Sequence, residues 1–166
     1  MNNILLDAKG NAMISDFFTC KRLKIGEKAY SNCGTLVYSA PEIFKDFGYS
    51  FEIDHWALGV TVYHMLKFPK VPFKDKEKIL NEEFPDLNEI SNNESKIFKK
   101  KKNIIDEVTC NFVSKLLTKD PNKRLGSINN LEEIREHQFF SSINWIDLEN
   151  GQVIPPITPK KVIFIY

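Results

Sequence analysis

Asn3 and Asp16, near the start of the chain, are the first residues whose types and spacing indicate chemistry. They flank two short apolar runs, Ile4–Leu6 and Ala12–Ile14, which are separated by the turn-forming sequence Asp-Ala-Lys-Gly-Asn. This pattern predicts a β-hairpin, which would return the chain to its starting end and bring both side chains within reach of one cation. Amide and carboxylate oxygens suit Mg²⁺ that is held largely by phosphates and water. The spacing alone is a weak signal, because Asn and Asp often flank hairpins.

The elements that must position these residues are mostly helical. Residues 19–50 are polar with scattered Gly and Pro, which predicts a long ordered loop of the kind that often carries function. An apolar helix is predicted at residues 54–66, hydrophobic on nearly every face and therefore suited to a core. Helical periodicity returns at 106–117, and a final short helix is predicted at 131–140. The sequence thus predicts a mainly α fold with one short hairpin.

Composition limits the class of protein. The chain has 166 residues, 42% hydrophobic and 27% charged, which is typical of a soluble globular domain. The net charge of +1 provides no field for nucleic acid, and no membrane span or secretory signal is visible. The three cysteines show no C-x-x-C spacing, so we expect free thiols and no zinc site. We expect a cytoplasmic or nuclear protein.

One internal segment departs from the helical pattern. Residues 91–102 lack periodicity and end in a run of four lysines. Low apolar content cannot offset the entropy of ordering, so we predict a disordered, solvated insertion. Four lysines without interleaved aromatic residues are poor support for a nucleic-acid patch.

Five motifs occur in an order that resembles the C-terminal half of a eukaryotic protein kinase. The resemblance extends from Asn3 to about Lys160, and the motifs are NILLD, DFF, CGTLVYSAPE, DHWALGV and DPNKRLG. The second of these lies within ISDFFTC. The ending HQFFSSINWIDLENGQVIPPITPK is similar to the AGC group of serine/threonine kinases. The resemblance implies a kinase C-terminal lobe at residues 1–142, a helical bundle with a short hairpin, and an AGC-type tail segment at 143–166.

The resemblance also implies roles for the residues around the hairpin. Asn3 matches the catalytic-loop Asn that binds Mg²⁺, and Asp16 matches the Asp of the DFG motif, which chelates the Mg²⁺ bridging the ATP phosphates. Phe17 matches the Phe whose packing distinguishes active from inactive arrangements. Asp54 matches a helix residue that holds the backbone of the catalytic loop.

Further roles are implied for the long loop. Ser31 matches the activation-loop phosphorylation site, although an exposed serine that is never modified is an alternative interpretation. Thr35 matches the residue beside the substrate site whose hydroxyl contacts the catalytic Asp. Glu42 would form a buried structural ion pair with Arg124. The implied partners are a protein substrate or regulatory protein and an upstream activating kinase.

Three departures from the family pattern bear on activity. The sequence contains no His-Arg-Asp run, so the catalytic Asp is expected upstream of Met1 and no catalytic residue is present. It contains no G-x-G, so the phosphate loop, the ATP-contacting Lys and the N-terminal lobe are expected to be missing. Phe18 stands where the motif has Gly, which is used for backbone freedom.

Two functions therefore stay open. The chain is either part of an ATP- and Mg²⁺-dependent serine/threonine kinase, inactive as this isolated chain, or a pseudokinase-type lobe that acts as a protein-binding or regulatory module. We expect this chain alone to bind neither ATP nor Mg²⁺, since two protein oxygens make a poor Mg²⁺ site.

Overall fold

A computed structural model describes residues 3–88, 104–127, 131–157 and 159. These residues form two compact units, one joining the N-terminal residues through Cys20 to the C-terminal residues from Ser142, and one comprising residues 21–141. The strands and α-helices in chain order are β1 (Ile4–Leu6), β2 (Ala12–Ile14), α1 (Glu52–Lys67), α2 (Lys76–Asn81), α3 (Glu107–Leu116), α4 (Leu131–Arg135) and α5 (Trp145–Glu149). Short 3₁₀ helices lie at Leu36–Tyr38, Pro41–Phe44, Pro121–Lys123 and Gln138–Phe140.

The first unit contains the predicted hairpin. Strands β1 and β2 pair antiparallel with Ile4 opposite Ile14, so the predicted strand bounds are confirmed. The turn is held by Asp7, whose carboxylate accepts hydrogen bonds from the Asn11 amide N–H and side chain, each at 2.8 Å. These bonds hold the pKa of the Asp7 carboxyl below its usual range. A Cβ on Gly10 would lie 1.9 Å from the carbonyl oxygen of Ile157, so the C-terminal segment passes directly over this turn.

Helix α1 forms the centre of the second unit, as predicted, but it is buried on one face only. Its inward face contains His55, Trp56, Gly59, Val60 and Tyr63, at the spacing of one helical face. Leu58, Met65 and Leu66 lie exposed, with 65% of the Met65 surface open to solvent. The expectation of burial on nearly every face was therefore wrong, because the described residues of this unit pack against α1 from one side.

Two apolar clusters build the core of the second unit. In the first, Trp56 stacks on Phe73 with ring centroids 5.7 Å apart, and Val113 and Leu117 of the α3 region pack with them. In the second, Phe112 stacks on Phe139 with centroids 4.5 Å apart. The predicted helix at 131–140 is in fact split into α4 and a 3₁₀ turn, because the His137 side chain accepts a hydrogen bond from the Phe139 N–H and caps the second piece.

Local capping explains where two of the helices begin. The Asp106 carboxylate accepts from the Thr109 N–H at 2.9 Å and starts α3, and the Asp75 carboxylate accepts from the Lys78 N–H at 2.9 Å and starts α2. Each bond satisfies an amide that has no partner within its helix. At the other end of α2, the Lys119 ammonium donates to the carbonyls of Lys78 and Ile79.

A close approach of backbone to imidazole fixes the N-terminal half of α1. A Cβ on Gly126 would lie 2.9 Å and 3.0 Å from the His55 ring atoms Cε1 and Nδ1, and Gly126 also has a φ of +84°. His55 Nδ1 is buried without a hydrogen-bond partner among the described residues. Burial lowers the pKa of His55, and the neighbouring Asp54 carboxylate opposes that effect. The imidazole is therefore stable here as the neutral form.

The predicted insertion at 91–102 lies outside the described residues, as does part of the predicted tail at 143–166. In the part of the chain that the structure describes, no helix has the length and apolar character needed to cross a membrane.

The substitution Gly59→Ala should lower the melting temperature, although alanine is the better helix former by about 1 kcal/mol. The added Cβ would lie 2.9 Å from the Leu116 Cβ and 3.0 Å from the Leu117 side chain, so α1 and α3 must separate. Overpacking of this kind costs about 1–3 kcal/mol. Thermal unfolding followed by circular dichroism is the measurement, with Ser114→Ala as a helix control. A rise in the melting temperature for Gly59→Ala would show that the two helices separate without cost.

Acidification should destabilise the second unit through His55. The folded pKa lies below the ordinary value of 6.5, so below that pH the unfolded chain binds more protons and stability falls as pH drops through the folded pKa. The charged groups that act on His55 are Glu52, Asp54, Arg124 and Glu133. The difference in melting temperature between pH 7.5 and 5.5 should be smaller in His55→Phe than in the natural chain. Equal differences in the two proteins would contradict this assignment.

Candidate functional site

The hairpin brings Asn3 and Asp16 together. Strand pairing continues past Ile4 and Ile14, since the Ser15 N–H donates to the Asn3 carbonyl at 2.9 Å. The Asn3 side-chain Nδ2 then donates to Asp16 Oδ2 at 3.1 Å, and both residues are exposed. This hydrogen bond uses the side-chain nitrogen of Asn3, so the side-chain oxygen Oδ1 of Asn3 stays available as a metal ligand.

Backbone strain in this loop lies at Asp16. Its φ of 64° is the sole positive φ of a non-glycine residue within the described ranges. Asp tolerates this left-handed conformation better than most residues, and such outliers concentrate at functional sites. Phe18, expected to suffer from the loss of glycine, avoids positive φ and projects into solvent with 95% of its surface exposed. Phe17 is also exposed, at 64%.

The donor set at the hairpin fits a magnesium ion in part. One amide oxygen and one carboxylate are hard oxygen ligands, and Mg²⁺ commonly takes one or two carboxylates with substrate phosphates and water. The described residues contain no group of three His, Cys, Asp or Glu side chains that could hold a metal. The residues at the hairpin therefore suit a Mg²⁺ that arrives with phosphates, and they do not form a closed protein site.

The long loop exposes both of its candidate residues. Ser31 and Thr35 are exposed, and Thr35 directly precedes the 3₁₀ turn Leu36–Tyr38. The Thr35 carbonyl accepts from the Tyr38 N–H at 2.9 Å and from the Ser39 hydroxyl at 3.3 Å. These bonds fix the Thr35 backbone and leave its hydroxyl free of any hydrogen bond to another described residue.

Glu42 and Arg124 form a buried ion pair. Arg124 Nη1 and Nη2 donate to the two Glu42 carboxylate oxygens at 2.5 Å and 2.9 Å. The Arg124 side chain is 0% exposed and the Glu42 side chain is 8% exposed. Arg124 also donates to the carbonyls of Glu52 at 2.8 Å and Thr118 at 3.0 Å. Its guanidinium lies 5.3 Å from the Trp56 ring. This arrangement satisfies four of the five guanidinium N–H groups and joins the turn after α3 to Glu42 and Glu52, which lie 82 and 72 residues earlier in the sequence.

Asp54 is placed differently from Glu42. It lies at the surface in the first turn of α1, and its carboxylate accepts no hydrogen bond from another described residue. Partial burial by its surroundings raises the pKa of the Asp54 carboxyl, and the adjacent His55 opposes the shift. The contact with a catalytic-loop backbone that the sequence implied is therefore still a prediction.

Sequence reasoning missed Tyr49, whose hydroxyl donates to the carbonyl of Ser31. It also missed Gly48, which has a φ of +72° beside the Tyr30 ring. The glycine before an aromatic residue, Gly48–Tyr49, was the available sequence signal, but it did not indicate that Tyr49 would bond to Ser31, eighteen residues earlier. The pairing depends on a non-local contact that no local pattern encodes.

Replacing Glu42 with alanine should lower the free energy of unfolding by about 3–5 kcal/mol, because Arg124 would be left buried without its counter-ion. The matched control is Glu82→Ala, which breaks the exposed Lys78–Glu82 pair at 2.9 Å and should have a far smaller effect. Urea unfolding of both variants is the measurement. Similar losses in the two variants would mean that the Glu42–Arg124 pair is accessible to solvent.

The site residues occur in a sequence that matches a known family. The profile of the protein kinase domain family matches residues 1–140. The chain is 36% identical over 170 residues to the RAC serine/threonine-protein kinase of Drosophila melanogaster. That alignment covers 96% of this chain and 25% of the fruit-fly protein. It is 38% identical over 162 residues to protein kinase C delta type of Mus musculus, covering 96% of this chain and 22% of that protein.

A third relative, serine/threonine-protein kinase Sgk1 of Xenopus tropicalis, is 37% identical over 165 residues, with 95% of this chain and 36% of that protein covered. The chain thus spans between 22% and 36% of the length of these relatives. The relatives confirm the predicted resemblance to AGC-type serine/threonine kinases. The chain belongs to the protein kinase domain family.

Proposed function

We propose that residues 1–142 are the C-terminal lobe of an AGC-type serine/threonine protein kinase and that residues 143–166 begin its C-terminal tail. In this role the chain would supply two ligands to a Mg²⁺ and would present a protein substrate beside the long loop of residues 19–50. The observation that carries the proposal is the hydrogen bond between Asn3 and Asp16, which places an amide and a carboxylate at the open end of one hairpin. Both residues occupy matching positions in the family's motifs.

The Asp16 carboxylate and the side-chain amide oxygen Oδ1 of Asn3 would hold the metal. When bound, Mg²⁺ would neutralise charge on the ATP phosphates during transfer. The bond from Asn3 Nδ2 orients the Asp16 carboxylate, and the left-handed backbone at Asp16 fixes the direction from which it approaches. The hydroxyl of Thr35 is available to a catalytic Asp, and the exposed Ser31 is available to an upstream activating kinase.

Residues 1–166 would not transfer phosphate by themselves. The two ligands at the hairpin are exposed, and Mg²⁺ retains most of its water unless phosphates and further groups surround it. An ATP molecule needs most of its surface buried to bind well. A proton acceptor and a phosphate cradle would have to come from residues outside this sequence.

A pseudokinase-type binding module is the second candidate. The observation in its favour is the pair of exposed aromatic side chains, Phe17 and Phe18, beside the metal ligands. Exposed aromatic residues at a site are often contacts for a protein partner. In that case the metal loop would serve recognition rather than catalysis.

Titration calorimetry distinguishes the two candidates. We expect no saturable binding of ATP–Mg²⁺ to residues 1–166 at millimolar concentrations. A chimaera that joins the N-terminal half of a kinase domain from a relative should restore Mg²⁺-dependent binding. In that chimaera Asp16→Asn should weaken binding at least about tenfold, because loss of even an outer-shell partner of a metal costs about 10–100-fold in affinity. Phe18→Gly should strengthen binding, because glycine also admits conformations with positive φ at residue 18.

Asp46→Asn is the matched control, because Asp46 is an exposed aspartate outside the hairpin. Saturable binding to the isolated chain that Asp16→Asn abolishes would contradict the proposed inactivity of this chain. A chimaera that folds but binds no nucleotide would favour the pseudokinase module.

A further inference from the structure

The segment that carries Ser31 is joined to residues 47–49 by backbone and side-chain hydrogen bonds. The Ala29 N–H donates to the Tyr49 carbonyl at 2.8 Å, and the Tyr49 N–H donates to the Ala29 carbonyl at 2.9 Å. Ala29 is buried, so water has little access to this two-bond bridge. The Lys28 ammonium adds a bond to the Phe47 carbonyl at 3.2 Å.

The Tyr49 side chain extends this attachment to Ser31 itself. Its hydroxyl donates to the Ser31 carbonyl, two residues beyond the backbone bridge. Burial, with a further contribution from Cys33, raises the pKa of the Tyr49 phenol above its usual value. The phenol therefore stays protonated and remains a hydrogen-bond donor throughout the physiological pH range.

Gly48 permits the fit between the two segments. An ideal Cβ at this position would lie 2.7 Å and 2.9 Å from atoms of the Tyr30 ring, and the φ of +72° disfavours any other residue. The Tyr30 ring thus packs against the glycine backbone. Four residues, Lys28, Ala29, Gly48 and Tyr49, form what we call the segment clamp.

We propose that the segment clamp orders residues 28–31 before any modification of Ser31. A phosphate at Ser31 would then change the charge of this surface without being needed to create its structure. The Ser31 side chain is exposed and makes no hydrogen bond to another described residue, so the order of the segment does not depend on it. Tyr49 is thus a positioning residue, acting on the segment through its hydroxyl.

The regulatory meaning rests on the proposed function, in which Ser31 is the activation-loop modification site. The clamp itself does not, because its contacts are independent of kinase activity. A chain in which Ser31 is never modified would retain the clamp, whereas a chain without the clamp would still be open to modification.

Hydrogen exchange measured by NMR on the full, phosphatase-treated chain tests the proposal. The amides of Ala29 and Tyr49 should be protected in the natural chain and equally protected in Ser31→Ala. Genetically encoded phosphoserine at position 31 should change their exchange rates less than about twofold. Tyr49→Phe should raise the rates about fivefold, as expected for the loss of the neutral hydrogen bonding of the phenol.

Two controls are matched to these changes. Tyr30→Phe removes a hydroxyl that bonds to no other described residue, and it should leave exchange unchanged. Gly48→Ala should raise exchange more than Gly26→Ala, because Gly26 shares a positive φ of +81° but has no atom within 4 Å of its ideal Cβ. Near-intrinsic exchange in the unphosphorylated chain, slowed only by phosphoserine, would overturn the proposal. Equal effects of Tyr49→Phe and Tyr30→Phe would also overturn it.

Discussion

The buried contact between Arg124 and Glu42 is the interaction on which the second unit depends. The Arg124 guanidinium donates hydrogen bonds to the Glu42 carboxylate in the 3₁₀ helix Pro41–Phe44 and to the carbonyls of Glu52 and Thr118. Removing these charges from water is costly, and only near-complete hydrogen bonding offsets that cost. Because Glu42 and Glu52 lie 82 and 72 residues before Arg124, this one residue joins the long loop and the start of α1 to the turn after α3. The contact thus holds these elements in register with one another.

That registration has consequences for the functional loop. Glu42 anchors the C-terminal half of the long loop, and the bridge between Ala29 and Tyr49 joins the middle of the loop to its last residues. Thr35 lies between these two attachments, in a stretch whose backbone is fixed by Tyr38 and Ser39. A long loop held at several points loses little further entropy when it binds a partner, which is the advantage of preorganisation. The exposed side chains of this loop are thus displayed on a fixed backbone.

Much of this structure could be predicted from local signals. Apolar runs separated by a turn sequence gave the bounds of β1 and β2, and periodicity placed α1 and α3 within two residues of their bounds. The contact between Asn3 and Asp16 follows from hairpin geometry, since residues that flank paired strands must lie together.

What escaped prediction depends on contacts between distant residues. The close approach of Gly126 to His55, the hydroxyl of Tyr49 on Ser31 and the one-sided burial of α1 each require a packed tertiary structure. The residue with the strained φ was also not predicted, for a related reason. The replacement of glycine by Phe18 directed attention to residue 18, whereas the structure has the left-handed residue at Asp16. A bulky residue avoids positive φ on steric grounds. Phe18 does not have a positive φ in this structure, so the replacement of glycine adds little backbone strain here. Any loop conformation that requires a positive φ at residue 18 would be disfavoured by the phenylalanine. The substitution thus acts by narrowing the conformations open to the metal loop, and it leaves the bond between Asn3 and Asp16 intact.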